Sequence, residues 1–193
     1  MSDVKSVLFV GVGGQGTILA SKILTIGLIE HGYDVKMSEV HGMSQRGGSV
    51  STQVRFGQKV YSPIIGEGSA DILVSFEEME AARYARFLKK EGKMVVNQVQ
   101  IPSLPVLSGT CQYPEGIIEE LKKHVPVMAI QATDIATKLG NPKSANIVLL
   151  GALIEALGLH DIDWKHIIAR TVKPAFVDIN LKAFDAGMEA VRQ

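Results

Sequence analysis

The sequence predicts an α/β fold: a single domain with an open, mostly parallel, Rossmann-like sheet, helices on both faces and a helical C-terminal region. Strand-like apolar runs alternate with longer segments at helical spacing. Two of those runs, Ala70–Phe76 and Val125–Ile130, are almost continuously apolar, as strands covered on both faces are. The first run ends in a glycine turn that opens a helix. A chain of 193 residues suits one well-buried domain spanning its whole length.

Taken in order, Ser6–Val10 reads as a strand and Gly11 as its end, and Thr17–Glu30 as a helix closed by His31-Gly32. Val35–Val40 follows as a strand, so the first forty residues form a βαβ unit with the usual right-handed crossover. Alternation at Val50, Thr52, Val54 and Phe56 marks Ser49–Phe56 as a third strand. After the buried strand Ala70–Phe76, Glu77–Lys90 takes helical spacing, with Gly92 as its stop, and Met94–Asn97 begins another strand. Pro102 and Pro105, with Ser103, Ser108 and Gly109, make Val99–Tyr113 a long connection of the kind that often carries function or an interface. Val125–Ile130 is the last strand. Helices then cover Asp134–Leu139, Ala145–Leu157, Trp164–Val172 and Asp178–Val191.

Composition excludes several classes of function. Twenty Lys+Arg balance twenty Asp+Glu, so no net field favours nucleic acid or anionic lipid. The longest apolar stretch, Ile147–Ile154, falls far short of the roughly 20 residues that span a bilayer. The first residues lack the layout of a secretory signal, which makes the cytoplasm the expected location. A lone Cys111 can neither close an internal disulfide nor supply the thiolates of an iron–sulfur cluster.

Gly11-Val12-Gly13-Gly14-Gln15-Gly16 fits the G-x-G-x-x-G pattern, and Glu39 falls near the end of the next strand. Glycines allow a tight turn and close approach of an anion, and the helix end supplies unpaired N–H groups. Glu39 stands where dinucleotide-binding folds place the acid that binds a ribose hydroxyl. The competing reading is that Gly11, Gly13 and Gly16 only let the helix pack close to the sheet. Residues Ser38–Ser49 favour this packing role: with Gly42, Gly47 and Gly48 they make a polar loop where a Rossmann domain would continue into a crossover helix.

Leu8–Gly16 and Glu39–Ser49 (Glu-Val-His-Gly-Met-Ser-Gln-Arg-Gly-Gly-Ser) resemble the two signature segments of the gamma domain of pyruvate/2-oxoacid:ferredoxin oxidoreductases. The likeness continues through Val60–Ile65 and Ala70–Glu78, covers nearly the whole chain, and is most similar to the small (beta) subunit of indolepyruvate ferredoxin oxidoreductases. It implies one gamma-type domain over residues 1–193. It also implies oxidative decarboxylation of an aryl-pyruvate, with coenzyme A as co-substrate and ferredoxin taking the electrons. Thiamine diphosphate, magnesium and the [4Fe-4S] clusters are then expected on a larger partner subunit, with no cofactor resident in this chain. The single cysteine and the lack of a Gly-Asp-Gly thiamine anchor agree with that division. By the same resemblance Gly11, Gly13, Gly14, Gln15, Gly16, Glu39, Ser44, Gln45, Gly47 and Gly48 are candidate ligand-binding positions. His41 and Arg46 are the candidates for a direct catalytic part.

Each candidate has a plainer reading. His41 can titrate near neutral pH, or merely hydrogen-bond its own loop. Arg46 can grip a carboxylate or phosphate with its planar fork, or pair with Glu39. Glu77, Glu78 and Glu80 most simply favour a helix N-terminus, and Trp164 reads as core or interface. His124, His160 and His166 lack the spacing of metal ligands. The rival functions are a free-standing NAD(P)-binding oxidoreductase and a tubulin-like nucleotide-dependent assembly protein; the latter would need a later phosphate loop that is missing here.

Overall fold

In the computed structural model, which describes residues 4–41 and 47–192, six strands form one sheet in the order β2-β3-β1-β4-β5-β6. The strands are β1 (Lys5–Val12), β2 (Asp34–His41), β3 (Ser49–Gly57), β4 (Ala70–Ser75), β5 (Leu88–Asn97) and β6 (Val127–Ile130). β1, β4, β5 and β6 pair in parallel. β3 runs antiparallel to both β1 and β2. The predicted β1–helix–β2 unit is present, but β3 separates its two strands.

The helices are α1 (Thr17–Glu30), α2 (Glu78–Tyr84), α3 (Leu104–Leu107), α4 (Ile117–Lys122), α5 (Ala132–Lys138), α6 (Ala145–Leu157), α7 (Trp164–Thr171) and α8 (Val177–Glu189). Two apolar cores lie on the two faces of the sheet. Val7, Phe9, Ile72 and Val74 pack on one side with residues of α1, α6, α7 and α8. Leu8, Val10, Leu73 and Val96 point to the other, where Ala81 of α2 and Ile117, Ile118 and Leu121 of α4 cover them. The alternation along β1 and β4 thus feeds both cores, and explains why these strands read as unbroken apolar runs. Trp164 belongs to the core: its ring lies over Gly27 of α1, and its Nε1 donates to Leu159 O at 2.7 Å.

Two expectations are corrected. The helix expected over Glu77–Lys90 ends at Tyr84, passes through a single 3-10 turn, and gives way to β5 at Leu88. Gly92 therefore stops no helix. It sits within β5, where Leu88 pairs with Ala70, and the register slips before Lys93 pairs with Ile72. Burial of Leu88 in the second core makes the strand the better use of that segment. Within the connection after β5, α3 and then α4 form. The four-residue α3 is too short to leave a periodic pattern, and α4 places its three apolar residues inward only once the sheet exists.

Candidate functional site

Chain direction changes at the carboxyl ends of β1 and β4: from β1 the chain crosses to one side of the sheet, and from β4 to the other. Open α/β sheets bind ligands in the crevice at such a switch point. Here the crevice is bridged by Gln15. Its Oε1 accepts from Val12 N at 2.7 Å and its Nε2 donates to Phe76 O at 2.8 Å, so one amide ties the loop to both neighbouring strand ends. Gly16 caps α1 in the left-handed region (φ 84°), and a Cβ there would lie 2.5 Å from Asn146 Nδ2 on α6. That position must be glycine for backbone and space alike.

The loop after β2 returns onto the same turn. Gly13 N donates to Gly48 O at 2.8 Å, and Gly47 N to Gly13 O at 3.3 Å. The two family-specific segments are therefore joined through Gly13, Gly47 and Gly48. Glu39 lies opposite Thr52 in the β2–β3 register. It is exposed, and shares a cavity of about 290 Å³ with Gly13, Gly14, Gly16 and the start of α1. His41 ends β2 opposite Val50. Its side chain, and Ser44, Gln45 and Arg46 entirely, lie outside the described residues.

On the other side of the glycine turn opens a second cavity of about 900 Å³. Gly14, Gln15 and Gly16 form one wall, Asn97, Val99 and Ile101 at the end of β5 another, and residues around Lys143, Asn146 and Lys173 the third. The turn is thus a ridge between two cavities, and Gln15 spends both ends of its amide holding that ridge in place.

Sequence reasoning placed Glu77 at a helix start, and it does cap α2, accepting from Glu80 N at 2.9 Å. Its reach extends well beyond the cap. Glu77, only 1% exposed, accepts from Ile101 N at 3.1 Å and from the Tyr113 hydroxyl, anchoring both ends of the long connection after β5. Burial, with the Glu77 carboxylate beside it, pushes the Tyr113 hydroxyl well above the ordinary phenol range, so it stays a donor at physiological pH. Glu80, 4% exposed, accepts from Ser49 Oγ and from Arg83 Nε, pinning the start of β3 beside Gly48. These two carboxylates hold the walls of both cavities from the opposite face. The partners Ile101, Ser49 and Tyr113 lie 24 to 36 residues away, so no local signal announced them.

This architecture is that of a doubly wound α/β protein with a glycine ridge at the carboxyl ends of β1 and β4, altered by an antiparallel strand between β1 and β2. The insertion sets Glu39 two strand spacings, about 9–10 Å, from the end of β1, twice the separation in a parallel dinucleotide fold. The NAD(P) reading finds no support in this arrangement or in known relatives. The model of the pyruvate ferredoxin/flavodoxin oxidoreductase family matches residues 6–190. The indolepyruvate oxidoreductase subunit IorB of Pyrococcus horikoshii is 41% identical over 97% of this chain and 96% of its own length. That of Thermococcus kodakarensis is 40% identical over the same shares. The crystal structure of a keto/oxoacid ferredoxin oxidoreductase gamma subunit from Geobacter sulfurreducens superposes with a TM-score of 0.72 at 25% identity, covering 97% of this chain and 98% of that one. The chain belongs to the pyruvate ferredoxin/flavodoxin oxidoreductase family. Within it, the chain is a gamma-type small subunit of a 2-oxoacid:ferredoxin oxidoreductase.

Proposed function

We propose that the 2-oxoacid is indolepyruvate or a related aryl-pyruvate, decarboxylated oxidatively with coenzyme A as acyl acceptor and ferredoxin as electron acceptor. The observation that carries this is the end-to-end match, at about 40% identity, to two subunits named for indolepyruvate. A larger subunit holds thiamine diphosphate, magnesium and the [4Fe-4S] clusters. This chain's residues do not suit a cubane cluster, since its one cysteine, Cys111, stands alone and exposed. In the complex, thiamine supplies the carbanion chemistry. This chain contributes the glycine ridge with Gly11, Gly13, Gly14, Gln15 and Gly16, flanked by Glu39, Gly47 and Gly48. Ser44, Gln45, His41 and Arg46 follow in the same polar segment, with His41 and Arg46 meeting the reacting molecules. The cytoplasm, where ferredoxin-linked metabolism runs, is the site of action.

Co-expression with the larger subunit tests this reading. The complex should reduce ferredoxin when given indolepyruvate and coenzyme A, and either chain alone should not. Full activity of the larger subunit without this chain, or a complex indifferent to aryl-pyruvates, overturns it.

A further inference from the structure

Glu80 is the third residue of α2. A carboxylate at that position commonly reaches back to the N–H of its own helix cap. In α2 the Glu77 N–H is met instead by Ser75 Oγ at 3.4 Å, and the Glu80 side chain turns to another element. Its carboxylate accepts from Ser49 Oγ, at the first residue of β3, and from Arg83 Nε at 3.0 Å. The Tyr84 hydroxyl lies 3.4 Å from the same serine oxygen, so Ser49 can donate to Glu80 and accept from Tyr84. Burying a carboxylate is costly unless it is paired and hydrogen-bonded. Arg83, about half exposed, balances the charge from the solvent side. Among the described residues, Ser49 is then the contact that ties the Glu80 carboxylate to an element other than α2.

Three strand ends meet at Ser49. It lies opposite Val12 in the β1–β3 register, and its neighbour Val50 lies opposite His41 of β2. One peptide before it, Gly48 O accepts from Gly13 N at 2.8 Å. Residues 42–48 therefore connect His41, held by strand pairing, to Ser49, held by strand pairing and by Glu80. A serine has one carbon between backbone and hydroxyl, so a shift of the Glu80 carboxylate reaches the Ser49 backbone with little slack.

We infer that Glu80 is a positioning residue for the oxidoreductase reaction: through Ser49 it fixes the β3 end of residues 39–48, the frame from which His41 and Arg46 extend. This rests on the function proposed above in one respect, that residues 39–48 meet the reacting molecules. Glu80 itself touches none of them. Its effect is on geometry, so it belongs to turnover more than to binding, since a small misplacement of a reacting group costs rate steeply.

The test compares Glu80→Ala, Ser49→Ala, their double variant and Ser49→Thr, in the isolated chain and in the complex with the larger subunit. Gly158→Ala, strained at the C-cap of α6, is the stability control. In the isolated chain, hydrogen–deuterium exchange across residues 47–50 should rise in Glu80→Ala and Ser49→Ala. In the complex, assayed with indolepyruvate well below every Tm, each should lower kcat by about tenfold or more and move KM for the 2-oxoacid less than about twofold. Ser49→Thr, which keeps the hydroxyl, should recover most of the rate. The double variant should be no slower than the slower single one, because both changes break the same contact. Gly158→Ala should lower Tm and leave kcat and KM as in wild type. Wild-type kcat in Ser49→Ala, Ser49→Thr as slow as Ser49→Ala, losses that multiply in the double variant, or a kcat that merely follows Tm in every variant including Gly158→Ala overturns the inference. Should Glu80→Ala fail to assemble, Ser49→Ala against Ser49→Thr decides alone. The two readings fail separately. Slow turnover in His41→Ala or Arg46→Ala beside normal turnover in Ser49→Ala leaves the proposed function standing and removes Glu80. A complex that oxidises pyruvate but not indolepyruvate removes the proposed substrate, and the same series run on pyruvate still decides the role of Glu80.

Discussion

Gln15 stands among four glycines, and its side chain determines how the turn is held. Both polar ends are satisfied by backbone, at Val12 N and Phe76 O. Gln15→Ala should leave Val12 N without its side-chain acceptor and Phe76 O with Asn97 Nδ2 as its remaining side-chain donor, and cost about 1–3 kcal/mol, measured as a lower urea midpoint of the isolated chain. Gln15→Glu can still accept from Val12 N but sets a carboxylate against Phe76 O, so it should recover none of the loss. The glycines were legible because a motif is local in sequence. Gln15's role was not, because Phe76 is 61 residues away. Asp34 gives a second prediction at this scale. Its hydrogen bond from Lys36, helped by Val60 N, holds its carboxyl below its usual value of 3.8. A carboxylate whose folded pKa is depressed stabilises the fold above the unfolded pKa and loses that contribution as pH falls through the folded one. Asp34→Asn should therefore be less stable than wild type at neutral pH, and the gap should close progressively below about pH 4 in thermal melts taken across the acid range.

Among the elements, reading by period succeeded where a long apolar segment stood alone. Thr17–Glu30 and Ala145–Leu157 are found with the predicted limits. It failed at Glu77–Lys90, because Leu88 fits a helical stripe and a strand face equally well. Only pairing with β4, absent from any local window, decides between them. Contact between α6 and α8 was equally invisible. There Gly151 and Gly187 bring the two backbones so close that a Cβ on Gly187 would lie 1.9 Å from Val148 O, and one on Gly151 2.1 Å from Phe184 O. Backbone atoms cannot swing aside as a side-chain tip can, so the helices must move apart. Either Gly→Ala change gains roughly 1 kcal/mol of helix propensity. Overpacking costs about 1–3 kcal/mol or more, and the rigid neighbours place these sites at the upper end. Gly151→Ala and Gly187→Ala should each lower Tm of the isolated chain, and the double change should cost less than the sum, since the first already opens the shared contact. Gly158→Ala, with nothing within 4 Å but φ at 70°, should destabilise through backbone strain alone and add independently.

For the whole molecule, composition and alternating elements were enough to predict one α/β sheet with both faces covered, but not that β3 would run backwards between β1 and β2. Strand order depends on which edges find partners after the helices dock, and that information is spread over the entire chain. The finished topology also sorts the connections between two ends of the sheet. Residues 58–69 leave β3 and enter β4 at the amino edge of β1. The connection after β5 is anchored at both ends to the start of α2, through Ile101 N to Glu77 and Tyr113 to Glu77 and Met79, so it belongs to the carboxyl edge with the glycine ridge. Both ends show apolar side chains to solvent: Tyr61 and Ile64 at the amino edge, Leu104 and Leu107 (78% and 71% exposed) at the carboxyl edge. Exposed large apolar groups are compatible with either end meeting a partner, so exposure alone does not choose. The ridge and its two cavities do. On the function proposed above, this chain shares a reaction with cofactors on its partner and has to present the ridge to that partner. Hydrogen–deuterium exchange of the chain alone and in complex with the larger subunit should therefore show new protection across residues 13–16 and 99–113, with little change across 58–66. Exchange rates in α1 and β1 should not change, because their amides are already held in the core of the free chain. Protection confined to 58–66 would mean that the partner docks at the amino edge. The glycine ridge would then face solvent, and residues 11–16 and 39–48 would have no direct part in the shared site.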